Sequence, residues 1–148
     1  GFMVGSPWQT MANLLEDLAF IRELQPQMIG IGPFIPHHAT PFKNYPAGTL
    51  EQTLTLLSVL RLMFPKVLLP ATTALGTIVP NGRELGILAG ANVVMPNLSP
   101  ADVRQNYLLY DNKLCSGAEA AEAKNDLAAR LHSIGYEIAE GRGDYKES

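Results

Sequence analysis

Four short apolar stretches each run straight into a cluster of Pro, Ser, Thr or Asn: FMVGSP from Phe2, MIGIGPF from Met28, VLLPATT from Val67 and ANVVMPN from Ala91. This recurrence constrains the fold more than any other feature. A strand that ends in a polar loop is how a parallel α/β protein presents a site, because ligands sit outside the carboxyl ends of the strands. Helical patterns separate the stretches. Thr10 is a candidate N-cap for a helix over Met11–Leu24, with Met11, Leu14, Leu15, Leu18, Ile21 and Leu24 on one face. Thr49-Leu-Glu-Gln52 reads as a capping box opening a helix to about Phe64, with Leu50, Leu54, Leu57 and Leu60 on one stripe. A shorter helix is expected over Asn81–Ala89, with Gly90 just past its end.

The connection from Pro33 to Gly48 is long and rich in proline, and its PFIP content favours an ordered loop packed over something. Thr73–Pro80 is expected to be a loop. Ser99-Pro100 reads as N-cap and N1 of a short helix over Ala101–Tyr107. Ser116–Glu119 is a further capping box, opening an Ala-rich helix that runs to about Ser133 and ends at Gly135. Tyr136–Ala139 is a candidate last strand, and the polar tail from Glu140 is expected to fray. The alternation implies a parallel sheet with right-handed crossovers. Four such units make half of a (β/α)8 barrel. A small open sheet is the alternative, although no G-x-G-x-x-G follows a strand.

Composition excludes several classes. The 148 residues suit one core-bearing domain, with 47% hydrophobic and 17% charged residues. A net charge of −3 without a basic block gives no footprint for nucleic acid. No apolar run approaches a membrane span. The N-terminus is already strand-like, so no signal peptide is expected and a cytoplasmic location follows. The lack of an initiator Met suggests a piece of a longer protein. Cys115, the single cysteine, excludes an internal disulfide and any multi-cysteine metal site built from this chain alone. No G-x-S-x-G is present, and the carboxylates fall on helix faces, so hydrolysis gains no support.

At the level of whole motifs the chain resembles a known family. MVGSPWQTMANLLEDLAFIRELQPQMIGIGPFIPHHATPF, PATTALGTIVPNGRELGILAGANVVMPNLSP and YLLYDNKLC look like the C-terminal half of the HydE-type radical S-adenosylmethionine maturases, which serve assembly of the [FeFe]-hydrogenase active site. Biotin synthase and methylornithine synthase are kindred enzymes. The resemblance covers essentially the whole chain up to about Gly135. It implies strands five to eight of the barrel in residues 1–98 and a C-terminal helical extension in 99–148. It also implies a parent enzyme that uses S-adenosylmethionine and a [4Fe–4S] cluster. The family's C-x3-C-x2-C motif is absent, so this chain cannot itself hold that cluster. Cys115 matches the first of three cysteines that bind an accessory cluster in some members, but the other two positions are Ala123 and Asp126.

The candidate site residues carry two readings each. Thr72 and Thr73 end a strand: two hydroxyls there suit an anionic or carboxylate ligand, or cap a turn. The resemblance places both at a substrate cavity. Met3, Met28 and Met95 sit in separate strands and read as core filling. The resemblance makes Met3 part of the cofactor pocket, and puts Met28 and Met95 beside the substrate, where apolar walls limit radical side reactions. Tyr107 and Tyr110 read as an amphipathic pair, and the resemblance makes them substrate contacts. It further assigns Phe34, Ile35 and Pro36 to packing on adenine through backbone groups. Adjacent His37 and His38 diverge in direction with no carboxylate nearby in sequence, so a hydrogen-bonding role is favoured over a metal and no metal ligand is assigned. Asn92 and Asn97 read as turn and cap formers.

The implied function is that of an enzyme fragment, expected to be inactive alone and completed by a missing N-terminal half-barrel. Its parent would act on a small-molecule substrate, by family an iron-bound, cysteine-containing synthon, alongside other hydrogenase maturation proteins. The alternatives are a non-catalytic half-barrel module and a different reaction within the same family.

Overall fold

The computed structural model describes residues 1–96, 109–112 and 120–145. Strand and helix alternate through most of it: β1 (Phe2–Val4), α1 (Met11–Leu24), β2 (Ile31–Pro33), α2 (Leu50–Met63), β3 (Pro70–Ala71), α3 (Thr73–Ile78), α4 (Gly82–Leu88), β4 (Val93–Val94) and α5 (Ala120–Ser133). β1 pairs parallel with β2, and β3 with β4. A parallel bridge between Met28 and Leu68 joins the two pairs, so the strands follow one another in chain order. Ile29 N–H donates to Leu68 O at 2.9 Å and Leu68 N–H to Gln27 O at 3.0 Å across that joint.

Local chemistry sets the helix ends. Thr10 Oγ1 accepts from Asn13 N–H, and Asn13 Oδ1 accepts from Thr10 N–H, a reciprocal cap that starts α1 at Met11. Thr49 Oγ1 accepts from Gln52 N–H and starts α2. α4 ends at Gly90, whose φ of +115° is a left-handed geometry that a side chain resists. α5 ends in a Schellman turn: Tyr136 N–H donates to Leu131 O and Gly135 N–H to His132 O.

Val4, Ile29, Ile31, Leu69 and Ala71 point to one side of the sheet, into a core with Leu57, Leu60, Leu75 and Ile87 from the helices. Leu127 and Leu131 of α5 join the same core, four residues apart on one helix face. Among the described residues, no helix covers the other side of the sheet. Met3 is 58% exposed and Met28 46%, on the alternate positions of their strands. The stretch from Phe2 to Gly5 is therefore buried on one face only. α1 behaves likewise: Leu14 and Ile21 are buried, while Met11, Leu15 and Leu24 of the expected stripe are exposed.

Polar contacts knit the helices. Ser58 Oγ donates to Ala89 O at 2.9 Å, and Arg61 Nε to Gly90 O at 2.8 Å, tying the ends of α2 and α4 together. Glu84 of α4, only 7% exposed, takes both Nε and Nη2 of Arg130 on α5. A two-point guanidinium–carboxylate pair of this kind fixes geometry as well as charge.

Two expected elements differ. Thr73–Pro80 is not wholly a loop: Thr73–Ile78 is a short helix. Tyr136–Ala139 is not a strand, because the turn at Gly135 sends the chain across the N-terminal ends of the sheet rather than alongside it. The expected helix over Ala101–Tyr107 and the box Ser116–Glu119 lie outside the described residues.

Removing the Arg130 side chain strands a buried carboxylate. Arg130→Ala is expected to lower unfolding stability by about 1–3 kcal/mol, read from urea denaturation of the full polypeptide. Glu84→Gln/Arg130→Gln, which keeps hydrogen-bonding groups on both sides, is expected to cost less than the single truncation.

Candidate functional site

Parallel pairing puts every strand's C-terminal end on the same side. A largely apolar cleft of about 770 Å³ runs along β1 and β2, from Gly1 and Gly30, to that side. Met3 from β1, Gly32 to Ile35 from β2 and its exit, and Thr72 to Ala74 from β3 and the start of α3 build it. Leu109 and Tyr110 border it as well.

Thr72 ends the third strand segment and precedes α3 without capping it. Its Oγ1 is buried and has no hydrogen-bond partner among the described residues. An unpaired buried hydroxyl costs about 1–3 kcal/mol, and a ligand group can recover it. Gly32 leaves the room: a Cβ there would stand 2.7 Å from Thr72 Oγ1. Thr73 also lines the cleft, and its carbonyl accepts from Thr77 Oγ1 at 3.1 Å.

The loop after β2 is packed by aromatic rings. Phe34 N–H donates to Val4 O and Phe34 O accepts from Gly48 N–H, both at 2.8 Å, closing the loop at its base. Phe42 meets Phe34 edge-on at 6.2 Å, and Trp8 and Tyr45 at 6.1 and 5.9 Å. Such edge-to-face pairs order the loop without burying its backbone. Ile35 is different: its N–H and C=O have no protein partner among the described residues, and the residue lines the cleft.

Asp111 straps the segment beside Tyr110 to this loop. Its N–H donates to Pro36 O at 3.2 Å. Its Oδ2 accepts from His38 N–H at 2.8 Å and its Oδ1 lies 2.6 Å from His38 Nδ1. The His38 side-chain hydrogen bond holds the Asp111 carboxyl below the usual carboxylate range, helped by the His38 backbone N–H and the nearby imidazoles and opposed by partial desolvation. Behind Tyr110, burial and the charge of Arg130 push the Arg83 guanidinium down, while Glu84 and Tyr110 raise it.

Of the residues singled out from sequence, Met3, Phe34, Ile35, Thr72, Thr73 and Tyr110 come together in this cleft. Pro36 is not part of its lining; its carbonyl is taken by Asp111. Met28 is elsewhere. It lies before β2 at the bridge to Leu68, and with Leu68, Asn92 and Tyr136–Ala139 it lines a second cleft of about 510 Å³ at the N-terminal ends. Met95 follows β4, is 56% exposed and lines neither cleft. The three methionines therefore do not share a wall. Asn92 is not merely a turn former: its Oδ1 accepts from Leu69 N–H at 2.8 Å, extending the β3–β4 pairing. Tyr107, Asn97 and Cys115 lie outside the described residues.

Sequence reasoning missed Asp111, because its partners are 73 residues away. It also missed Gly32, though an isolated glycine in a strand signals close approach of another group.

No protein-family model matches the chain. It is 50% identical over 115 residues to the [FeFe] hydrogenase maturase subunit HydE of Thermotoga maritima, covering 78% of this chain and 33% of that protein. The chain is homologous to HydE. It is also 37% identical over 89 residues to 3-methylornithine synthase of Methanosarcina barkeri, covering 60% of this chain and 25% of that enzyme. The Methanosarcina acetivorans synthase is 28% identical over 127 residues, covering 86% of this chain and 35% of that enzyme. The chain thus spans about a third of the length of HydE. No helix among the described residues is long and apolar enough to cross a membrane.

Thr72→Val keeps the shape and removes the unpaired hydroxyl. It is expected to raise the stability of the ligand-free polypeptide by about 1 kcal/mol in urea denaturation. Gly32→Ala, which drives a methyl onto Thr72, is expected to lower it.

Proposed function

We propose that the chain forms strands five to eight of a HydE-type radical S-adenosylmethionine (β/α)8 barrel, with residues 99–148 as a C-terminal extension, in an enzyme of [FeFe]-hydrogenase active-site assembly. The 50% identity to HydE carries this reading. The parallel strands in chain order and the helices on one side only agree with it. The bare apolar side, with Met3 and Met28, suits the interior of a barrel whose other half lies in the rest of a longer polypeptide or on a second chain. A cytoplasmic setting goes with that assignment.

The iron–sulfur cluster does not fit this chain. A cubane cluster needs several thiolates, and Cys115 is the single cysteine. No step is assigned to it here. The adenosyl end of S-adenosylmethionine does fit. Adenine's Watson–Crick edge offers an acceptor and a donor, and the N–H and C=O of Ile35, without a partner among the described residues, complement them at the rim of the apolar cleft. S-adenosylmethionine, when bound, supplies the radical chemistry. The chain's own residues then bind and exclude water: Met3, Phe34 and Ile35 wall the adenosyl side, with Pro36 behind them. Thr72 Oγ1 donates to an anionic or carboxylate group of the small-molecule substrate, and Thr73, Tyr110 and Tyr107 border it. Met95, just past the C-terminal end of β4, extends the substrate wall in this reading, whereas Met28 at the N-terminal ends does not.

The substrate proposed by family is a small iron-bound synthon containing cysteine, handed on among hydrogenase maturation proteins. The 37% identity to 3-methylornithine synthase supports a second reading, rearrangement of an amino-acid skeleton.

Anaerobic reconstitution of the full polypeptide is expected to give about four irons per chain and reductive formation of 5′-deoxyadenosine. Thr72→Val/Thr73→Val is expected to cut substrate-dependent turnover at least about tenfold while leaving the iron content unchanged. A full polypeptide without iron or 5′-deoxyadenosine would overturn the enzyme reading in favour of a non-catalytic half-barrel.

A further inference from the structure

We propose that His37, His38 and Asp111 form a divalent metal site of the zinc class on the rim of the cleft. One ligand atom from each residue lies within 4.8 Å of the others. Asp111 Oδ1 is the focus: His38 Nδ1 stands 2.6 Å from it and His37 Nε2 4.0 Å. The two imidazoles stack at 4.4 Å with an interplanar angle of 26°, so neighbouring residues present ring edges to the same carboxylate oxygen. His38 N–H holds the carboxylate independently of either ring, and Pro36 O holds the Asp111 main chain through its N–H.

Two nitrogens and one oxygen suit zinc rather than magnesium, which prefers an all-oxygen shell with bound waters. Three protein donors leave a fourth position. His37 lines the cleft and the His38 side chain is 74% exposed, so that position is reachable by water or by a ligand in the cleft. Tetrahedral zinc holds its nitrogen donors about 3.3 Å apart. The short His38–Asp111 contact must open and the longer ones close, a matter of side-chain rotation in an exposed loop.

The tautomers make the proposal specific. In the neutral ring, the contact with the Asp111 carboxylate places the His38 proton on Nδ1 and leaves Nε2 free. Ala39 N–H donates to His37 Nδ1 at 3.1 Å, which puts the His37 proton on Nε2. A metal bound at His38 Nδ1 and His37 Nε2 reverses both: the His38 proton moves to Nε2, and the His37 proton to Nδ1 with loss of the Ala39 contact. Water can take over at both atoms.

The test is Zn²⁺ binding to the full polypeptide, read by equilibrium dialysis and by NMR of its 15N-labelled histidine rings. The wild type is expected to bind one more Zn²⁺ per chain than His37→Gln/Asp111→Asn. His38→Gln, an exposed change that preserves a donor to Asp111, is expected to weaken that zinc at least about tenfold. Both ring tautomers are expected to switch on zinc addition, a signature that thiolates elsewhere in the polypeptide cannot produce. Equal zinc content in wild type and variants, or ring signals that do not respond to zinc, would overturn the proposal.

Discussion

The segment from Gln27 to Phe34 is hydrogen-bonded on both sides, and the rest of the structure depends on that. On one side Phe2 N–H reaches Gly30 O and Phe34 N–H reaches Val4 O; on the other Ile29 N–H reaches Leu68 O. A strand held twice cannot slip by one residue without turning Ile29 and Ile31 out of the core. Its register therefore fixes where the ladder ends, with Pro33 opposite Val4 and Phe34 N–H on Val4 O, and that end fixes the base of the 33–48 loop. Parallel neighbours then bring Met3 and Thr72 to the same level. The cleft is a consequence of register, not of any single side chain in it.

That geometry also explains the uneven surface. Alternation along a strand sends neighbouring residues to opposite faces. Among the described residues helices cover only one of them, so Val4 and Ile31 are buried while Met3 is open. An apolar face of this kind is an aggregation hazard unless something covers it. In the reading advanced above, the covering layer is the other half of the barrel.

Much of the fold was legible in the residues. α1 runs from Met11 to Leu24 as read, because Thr10 has a hydrogen-bonding partner three residues on and a proline soon follows the last turn. α3 was not legible: six residues containing Gly76 are too few to show a helical period. Tyr136–Ala139 has strand-like composition, but composition cannot say whether a neighbouring edge is within reach. The site was legible in part. Strand-end polar residues announce themselves in sequence, and Thr72 stands at the end of its stretch, on the cleft. Asp111 was not, since nothing in its neighbourhood marks it as the partner of two histidines that are far away along the chain. The place of Met28 at the N-terminal ends was not legible, because a motif names a strand and not which end of it a residue occupies.

The central claim is that the C-terminal cleft, and not the one beneath it, receives the adenosyl group. Hydrogen exchange of the full polypeptide with and without 5′-deoxyadenosine tests this most directly. The account predicts added protection at Ile35 and its neighbours and around Thr72–Ala74, with Tyr136–Ala139 unchanged. Protection at Met28 and Tyr136–Ala139, with none at Ile35, would contradict it.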